Sequence, residues 1–331
     1  MSRAKRKVFV ANMRSLGPVF DMTPELITRV AGRYPGVGEQ IECEFDYDLE
    51  NFDTGIRSAE ILIGWEFPRE RLGEAAPELR WIHLMGAGLD QCLPLDWLPA
   101  RVSLTTSAGA HAIKAGEFLA TAVLMLNNRF PAFVTNQRTG HFKPIVSAPI
   151  TGKTLLLIGV GGIGGAAADR CKALGMHIIG VRPSAQAHPS VDEMFDVSQL
   201  HEVIPRADFI VISAPLTSHN RGLFSNAEFA RLKPGAGLVN LARHAVVDEQ
   251  AMIEALEDGR LGGAIVDVED PDHVAWDQRM WSVPNLVIVP HCGTNDPANF
   301  KEYILEVFFE NLQSYLEDKS MKTLVGRERE Y

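Results

Sequence analysis

Residues 159–164 read Gly-Val-Gly-Gly-Ile-Gly, a G-x-G-x-x-G turn. Each glycine has its own job in such a turn. Gly159 makes the tight bend, Gly161 lets a diphosphate approach the backbone, and Gly164 lets a helix pack on the preceding strand. On its own the run also fits a flexible loop in an apolar chain, so its context decides. The apolar run 155–159 reads as a strand, and residues 164–174 carry a helical pattern that stops at Gly175, a residue suited to a helix C-terminus. Strand, turn and helix together predict a dinucleotide held at the positive end of the helix that begins at Gly162 and Ile163.

The pattern around the turn recurs. Short apolar runs lie at 155–160, 177–181, 209–214, 237–242, 264–268 and 286–290, with helical patterns between most of them. Runs this continuous fit strands of a parallel sheet buried on both faces. The segment 248–256 opens on Asp248 and Glu249, acids well placed at a helix N-terminus. Six strands alternating with helices predict an α/β fold with a doubly wound parallel sheet, the Rossmann arrangement. Earlier runs at 8–11, 61–64, 81–85 and 102–106, with a helix at 24–31, predict a second, smaller α/β domain. The domains are read as 1–107 with 297–331, the substrate domain, and 108–296, the dinucleotide-binding domain, with helix 300–316 crossing back to the first. The helix 112–127 presents a broad stripe of Ile113, Phe118, Leu119, Ala122, Val123 and Leu126. It is expected to pack between domains or between the subunits of a homodimer.

Composition narrows the function. The 331 residues suit two domains, and 32 Lys and Arg against 42 Asp and Glu give a net charge of −10. Nucleic acids and anionic membranes both need a basic surface, so neither is expected as a partner. No apolar stretch approaches the roughly 18 residues of a membrane helix. The basic start is followed by an apolar run, 8–11, too short for a secretory leader. The cysteines Cys43, Cys92, Cys171 and Cys292 lack metal-ligand spacing, which predicts reduced thiols, a cytoplasmic location and no metal.

About 20 residues beyond the turn an acid would accept from a ribose 2′-hydroxyl. Gly180-Val181-Arg182-Pro183-Ser184 stands there instead. An arginine cannot accept that hydrogen bond but grips a 2′-phosphate, so NADP(H) is read in preference to NAD(H). The plainer alternative is a surface arginine in a loop. Three more residues fall at strand ends, where ligands bind in such sheets: Arg243 after Leu241 and Ala242, Asp267, and His291. Singly, each is more often a surface ion pair, a turn cap or a core histidine. Together above one groove they point to chemistry, and a histidine titrates where proton transfer near neutral pH needs it.

These segments resemble the D-isomer-specific 2-hydroxyacid dehydrogenase family, in particular its glyoxylate/hydroxypyruvate reductase-like branch, from about residue 61 to about residue 316. The likeness rests on Met85-Gly86-Ala87-Gly88-Leu89-Asp90, Glu117-Phe118, Pro215-Leu216-Thr217, Asn240 to Arg243, Val247-Asp248-Glu249, Asp267-Val268 and Pro290-His291. It implies a flavodoxin-like substrate domain and hydride transfer from NAD(P)H to the keto carbon of a small 2-keto acid, giving the D-2-hydroxy acid. It further implies that amides of Gly86, Ala87 and Gly88 hold the carboxylate, that Arg243 binds it and polarises the keto oxygen, and that His291 delivers the proton. Cofactor contacts are implied for Gly159, Gly161, Gly162, Ile163, Gly164, Arg182, Pro183, Ser184, Pro215, Leu241 and Ala242, with Asp267 accepting from the nicotinamide carboxamide.

Two departures stand out. The family's glutamate, which holds the histidine, aligns with Asp272, the following proline with His273, and the usual tryptophan with Trp281. A carboxylate at Asp272 does the same electrostatic work on a shorter arm, and Glu269 or Asp270 is the substitute if the loop is rearranged. His244 replaces a usual glycine beside Arg243. Cys292 is read as a packed thiol, since hydride transfer needs no nucleophile. Two other readings stay open: a relative acting on formate or phosphonate, which the 86–88 loop disfavours, and a cofactor-sensing binding protein like the corepressors of this fold, which Arg243 and His291 disfavour.

Overall fold

Every apolar run read as a strand becomes one, and they sort into two parallel sheets. The structure, a computed structural model, describes residues 4–268 and 279–328, and the chain divides into two units, Met1–Ala110 with Asp296–Tyr331, and His111–Asn295.

The first unit holds β1 (Arg6–Asn12), β2 (Ile41–Tyr47), β3 (Ile61–Gly64), β4 (Trp81–Leu84) and β5 (Ser103–Thr105), in the order β2-β1-β3-β4-β5. That order is the flavodoxin-like one. Sequence reading passed over β2 because Glu42, Glu44 and Asp46 interrupt its apolar residues. It is an edge strand, and alternation of Ile41, Cys43, Phe45 and Tyr47 with those acids is the period-two signal that finds it. Helix Pro24–Ala31 starts on Thr23, whose side chain accepts from the Leu26 amide. Its Leu26, Ile27 and Val30 share a core with Phe300, Ile304, Phe308 and Phe309 of helix Phe300–Leu316, which thus belongs to this unit. Past that helix the chain straps the free edge of β5. Leu324 bridges Thr105 antiparallel, the Val325 amide donates to Leu104, and Arg327 donates to the carbonyls of Leu98, Pro99 and Val102.

The second unit holds β6 (Thr154–Ile158), β7 (His177–Val181), β8 (Glu193–Phe195), β9 (Phe209–Ile212), β10 (Ala236–Asn240), β11 (Leu261–Asp267) and β12 (Leu286–Val289). All run parallel in the order β12-β11-β10-β9-β6-β7-β8, so the winding reverses between β6 and β9. Ligands of such sheets bind at that reversal. β8, three half-buried residues at an edge, is too short to leave a sequence pattern.

Helix Ala112–Asn127 corrects an expectation. Its Ala115, Leu119, Ala122, Val123 and Leu126 are buried inside the second unit, packed with Ala167, Ala168 and Cys171 of helix Gly162–Ala173 and with sheet residues Leu155, Leu157, Val239 and Ile265. The stripe is broad because it covers a helix and a sheet at once. Ile113, counted in the stripe, is 54% exposed. No described helix is long and apolar enough to cross a membrane.

Candidate functional site

The glycine turn joins β6 to helix Gly162–Ala173. Gly159 has φ +98°, and a Cβ there would meet the Ala214 nitrogen at 2.5 Å. A Cβ on Gly164 would meet the Gly159 oxygen at 2.0 Å. These two glycines therefore let strand, helix and the exit of β9 pack together, and the Ser213 hydroxyl donates to the Gly159 carbonyl across 2.8 Å. Gly161 differs: nothing lies within 4 Å of an added Cβ, and no side chain caps the helix it opens. The first amides of that helix, from Gly162, Ile163 and Gly164, fit an anionic diphosphate. Beyond β9, Asn220 shapes the Pro215 loop, donating to the Pro215 carbonyl at 2.6 Å and accepting from the Thr217 amide at 2.8 Å.

The structure brings Arg182 to this turn. Its Nη1 donates to the Val160 carbonyl at 2.8 Å, and its Nη2 to the carbonyls of Gln186 and Ala187. The guanidinium thus closes the loop after β7 onto the glycine turn, with Pro183 and Ser184 exposed on that loop.

Three adjacent strands carry the remaining candidates. β10 ends at Asn240, 2% exposed, whose side chain folds the next turn. Its Nδ2 donates to the Arg243 carbonyl at 3.1 Å and its Oδ1 accepts from the Ala242 amide at 3.0 Å. Leu241 and Ala242 are buried, Arg243 Nη1 donates to the Ala242 carbonyl at 2.9 Å, and His244 opens the short 3-10 turn His244–Val246. β11 ends at Asp267, also 2% exposed. Its two oxygens accept from the amides of Cys292 and Gly293, each at 2.9 Å. Burial pushes the Asp267 carboxyl above its ordinary range, opposed by those amides and by the charge of His291. The expected acceptor for a carboxamide is therefore also the anchor of the turn after β12. In that turn His291 has φ +49°, Thr294 pairs with His111, and Cys292, expected as a packed thiol, is exposed because its amide, not its side chain, faces Asp267.

Gly86, Ala87 and Gly88 lie in the first unit, in the loop after β4. A Cβ on Gly86 would fall within 1.9 Å of the Trp65 ring, so packing against that indole, besides any approach of a ligand, demands glycine there. Behind the loop lies a buried network that sequence reading missed. His83 Nδ1 pairs with Thr105 Oγ1 at 2.8 Å and its Nε2 with Ser107 Oγ at 3.2 Å. Ser107 in turn donates from its amide to Gly86 and from its hydroxyl to Leu84. Burial pushes His83 down to about 3, so the ring is neutral. Asp272, with Glu269, Asp270 and His273, lies outside the described residues. Among the described residues no cluster of His, Cys, Asp and Glu is arranged to hold a metal.

A family model described as D-isomer specific 2-hydroxyacid dehydrogenase, NAD binding domain, matches residues 120–293, more than half of the chain. The chain is 28% identical over 264 residues to the glyoxylate reductase of Thermococcus gammatolerans, covering 76% of this chain and 78% of that protein. It is 31% identical over 228 residues to the D-3-phosphoglycerate dehydrogenase of Rattus norvegicus, covering 67% of this chain and 42% of that protein, so it spans less than half of that relative's length. A D-isomer specific 2-hydroxyacid dehydrogenase from Xanthobacter autotrophicus Py2, solved in complex with NADPH and MES, superimposes with a TM-score of 0.81 at 23% identity, over 99% of this chain and 100% of that one. At that identity the likeness is one of fold.

Proposed function

Because this chain belongs to the D-isomer specific 2-hydroxyacid dehydrogenase family, we propose that it reduces a small 2-keto acid, of the glyoxylate or hydroxypyruvate kind, to the D-2-hydroxy acid with NADPH. The observation that carries this reading is the placement of Arg243, Asp267 and His291 after the adjacent strands β10, β11 and β12, in the sheet whose glycine turn fits a dinucleotide. The 28% identity to a glyoxylate reductase supports the substrate class.

When bound at the glycine turn, a nicotinamide cofactor would supply the hydride. Arg243 offers a permanent positive charge that binds the carboxylate and stabilises the charge developing on the keto oxygen. His291, protonated, gives its proton to that oxygen. Asp272 stands in for the family glutamate that holds the histidine, and the amides of Gly86, Ala87 and Gly88 take the carboxylate. Arg182, with Pro183 and Ser184, receives the 2′-phosphate. The choice of NADPH is supported by an arginine where an acid would serve NADH, and by the NADPH bound to the Xanthobacter relative.

The same reading takes the protein as a cytoplasmic homodimer. Its four cysteines are free thiols, suited to a reducing compartment. Helix Phe130–Arg138 and the segment after it expose Phe130, Phe133, Phe142 and Val146, with Phe142 and Val146 at 105% and 93%. Exposed apolar side chains of this kind suit a second copy. The acidic net charge of −10 supports neither a nucleic acid nor a membrane as partner.

The test is a steady-state assay of glyoxylate, hydroxypyruvate and longer 2-keto acids with each cofactor. Turnover is expected with NADPH, at a kcat/KM about tenfold or more above that with NADH, the worth of one charge-assisted contact. No turnover with any 2-keto acid would overturn the reading.

A further inference from the structure

The turn that carries His291 is an unfavourable one. His291 sits at φ +49°, a region that side-chain-bearing residues rarely occupy. Such a conformation persists only where its surroundings hold it. On its amide side the holding groups are clear. The His291 amide donates to Val289 at 2.9 Å, those of Cys292 and Gly293 donate to Asp267, and that of Asn295 donates back to Cys292 at 3.1 Å.

On the carbonyl side, His111 Nδ1 lies 3.2 Å from the Thr294 oxygen, joining residues 183 positions apart in the chain. A carbonyl only accepts, so Nδ1 carries the hydrogen and donates. His111 is the N-cap residue of helix Ala112–Asn127, yet its side chain makes no cap of that helix. Residues that cap helices are usually Ser, Thr, Asp or Asn, and a histidine that reaches away from its own helix has another task. The helix beneath it is firmly seated: a Cβ on Gly116 would lie 3.0 Å from the Ala166 carbonyl, so the two helices cross in close contact. Two helical turns beyond His111, on the same face, Phe118 meets the turn again. A Cβ on Gly293 would lie 2.6 Å from the Phe118 ring and 2.7 Å from Asp267 Oδ2.

We propose that His111 is a positioning residue for His291: its Nδ1–H holds the Thr294 carbonyl and, with Asp267 on the amide side, fixes the turn from which His291 projects. Burial lowers the basicity of His111, opposed by the bond to Thr294 and helped by the charge of His291 nearby. The proposal rests on the reading of His291 as proton donor, and the experiment separates the two.

Two variants of the full chain decide it. His111→Phe keeps a ring but has no donor (His111→Leu serves if the larger ring unfolds the chain), and His111→Asn keeps an N–H donor at the position of Nδ1. Hydrogen exchange of the peptide spanning residues 289–295 reads the clamp without any substrate. Exchange is expected to quicken about tenfold in His111→Phe and to return to the wild-type rate in His111→Asn. Parallel kinetics with NADPH and glyoxylate are expected to show kcat lowered about tenfold in His111→Phe, cofactor Kd within about twofold of wild type, and recovery in His111→Asn, because a small misplacement of a reacting group is felt in turnover. Wild-type exchange and kcat in His111→Phe, or failure of Asn to recover either, would overturn the proposal. Exchange that responds as expected in a chain that reduces no 2-keto acid would uphold the clamp and overturn the function.

Discussion

Asp267 Oδ2 lies 2.9 Å from the Gly293 nitrogen, while Asp267 Oδ1 lies 2.9 Å from that of Cys292. One carboxylate therefore satisfies two successive amides after His291. An amide side chain can accept only one of them and would set a second donor against the other. Asp267→Asn is expected to lower kcat/KM by about 10- to 100-fold, measured in steady state, with the fold retained by circular dichroism. Wild-type kinetics in that variant would contradict the anchoring role.

Acid sensitivity should trace in part to His83. Its native pKa of about 3 lies below the 6.5 of an ordinary histidine, because burial disfavours the charged ring. Between those values the unfolded chain binds more protons than the native one, so stability falls as pH drops below about 6.5, by up to about 1.4 kcal/mol per pH unit from this group. His83→Asn should be less stable at pH 7 yet lose stability less steeply on acidification. Urea unfolding from about pH 7 to about pH 4 measures this, and equal slopes in both proteins would count against it.

Asn240 ties the end of β10 to the Arg243 backbone through two hydrogen bonds while nearly fully buried. Asn240→Ala removes a partner from both the Ala242 amide and the Arg243 carbonyl, a loss of about 1–3 kcal/mol. The thermal midpoint should fall and kcat/KM should fall with it, since the turn presents Arg243. Loss of stability with kcat/KM intact would show that the turn does not set the arginine.

Assembly is testable at Phe142, fully exposed four residues before Val146. Wild type is expected to sediment as a dimer at micromolar concentration and Phe142→Asp as a monomer or a weakened dimer. A monomeric wild type would contradict the proposed use of this surface.

The parts of the fold legible in the sequence are those whose signal is local. Gly159, Gly161 and Gly164 declare themselves by spacing, and β6, β7 and β9 by unbroken apolar runs. β2 escaped because Glu42, Glu44 and Asp46 break its apolar run, and β8 because three residues carry no period. The helix Ala112–Asn127 shows why a stripe measures how much of a helix is covered and not what covers it. Contacts made across the chain were beyond reach: Asp267 to Cys292 spans 25 positions, and His111 to Thr294 spans 183. The packing of Trp65 on Gly86 is of the same kind, since neither residue's neighbours announce the other.

The central claim, that His291 gives the proton to a reduced 2-keto acid, is tested most directly by His291→Ala. NADPH binding is followed by fluorescence, and turnover by NADPH oxidation with the best 2-keto acid. Turnover is predicted to fall about 10²- to 10⁴-fold, the usual worth of a positioned general acid, with cofactor Kd within about twofold of wild type. Turnover in His291→Ala equal to that of wild type, with NADPH bound as tightly, would contradict it.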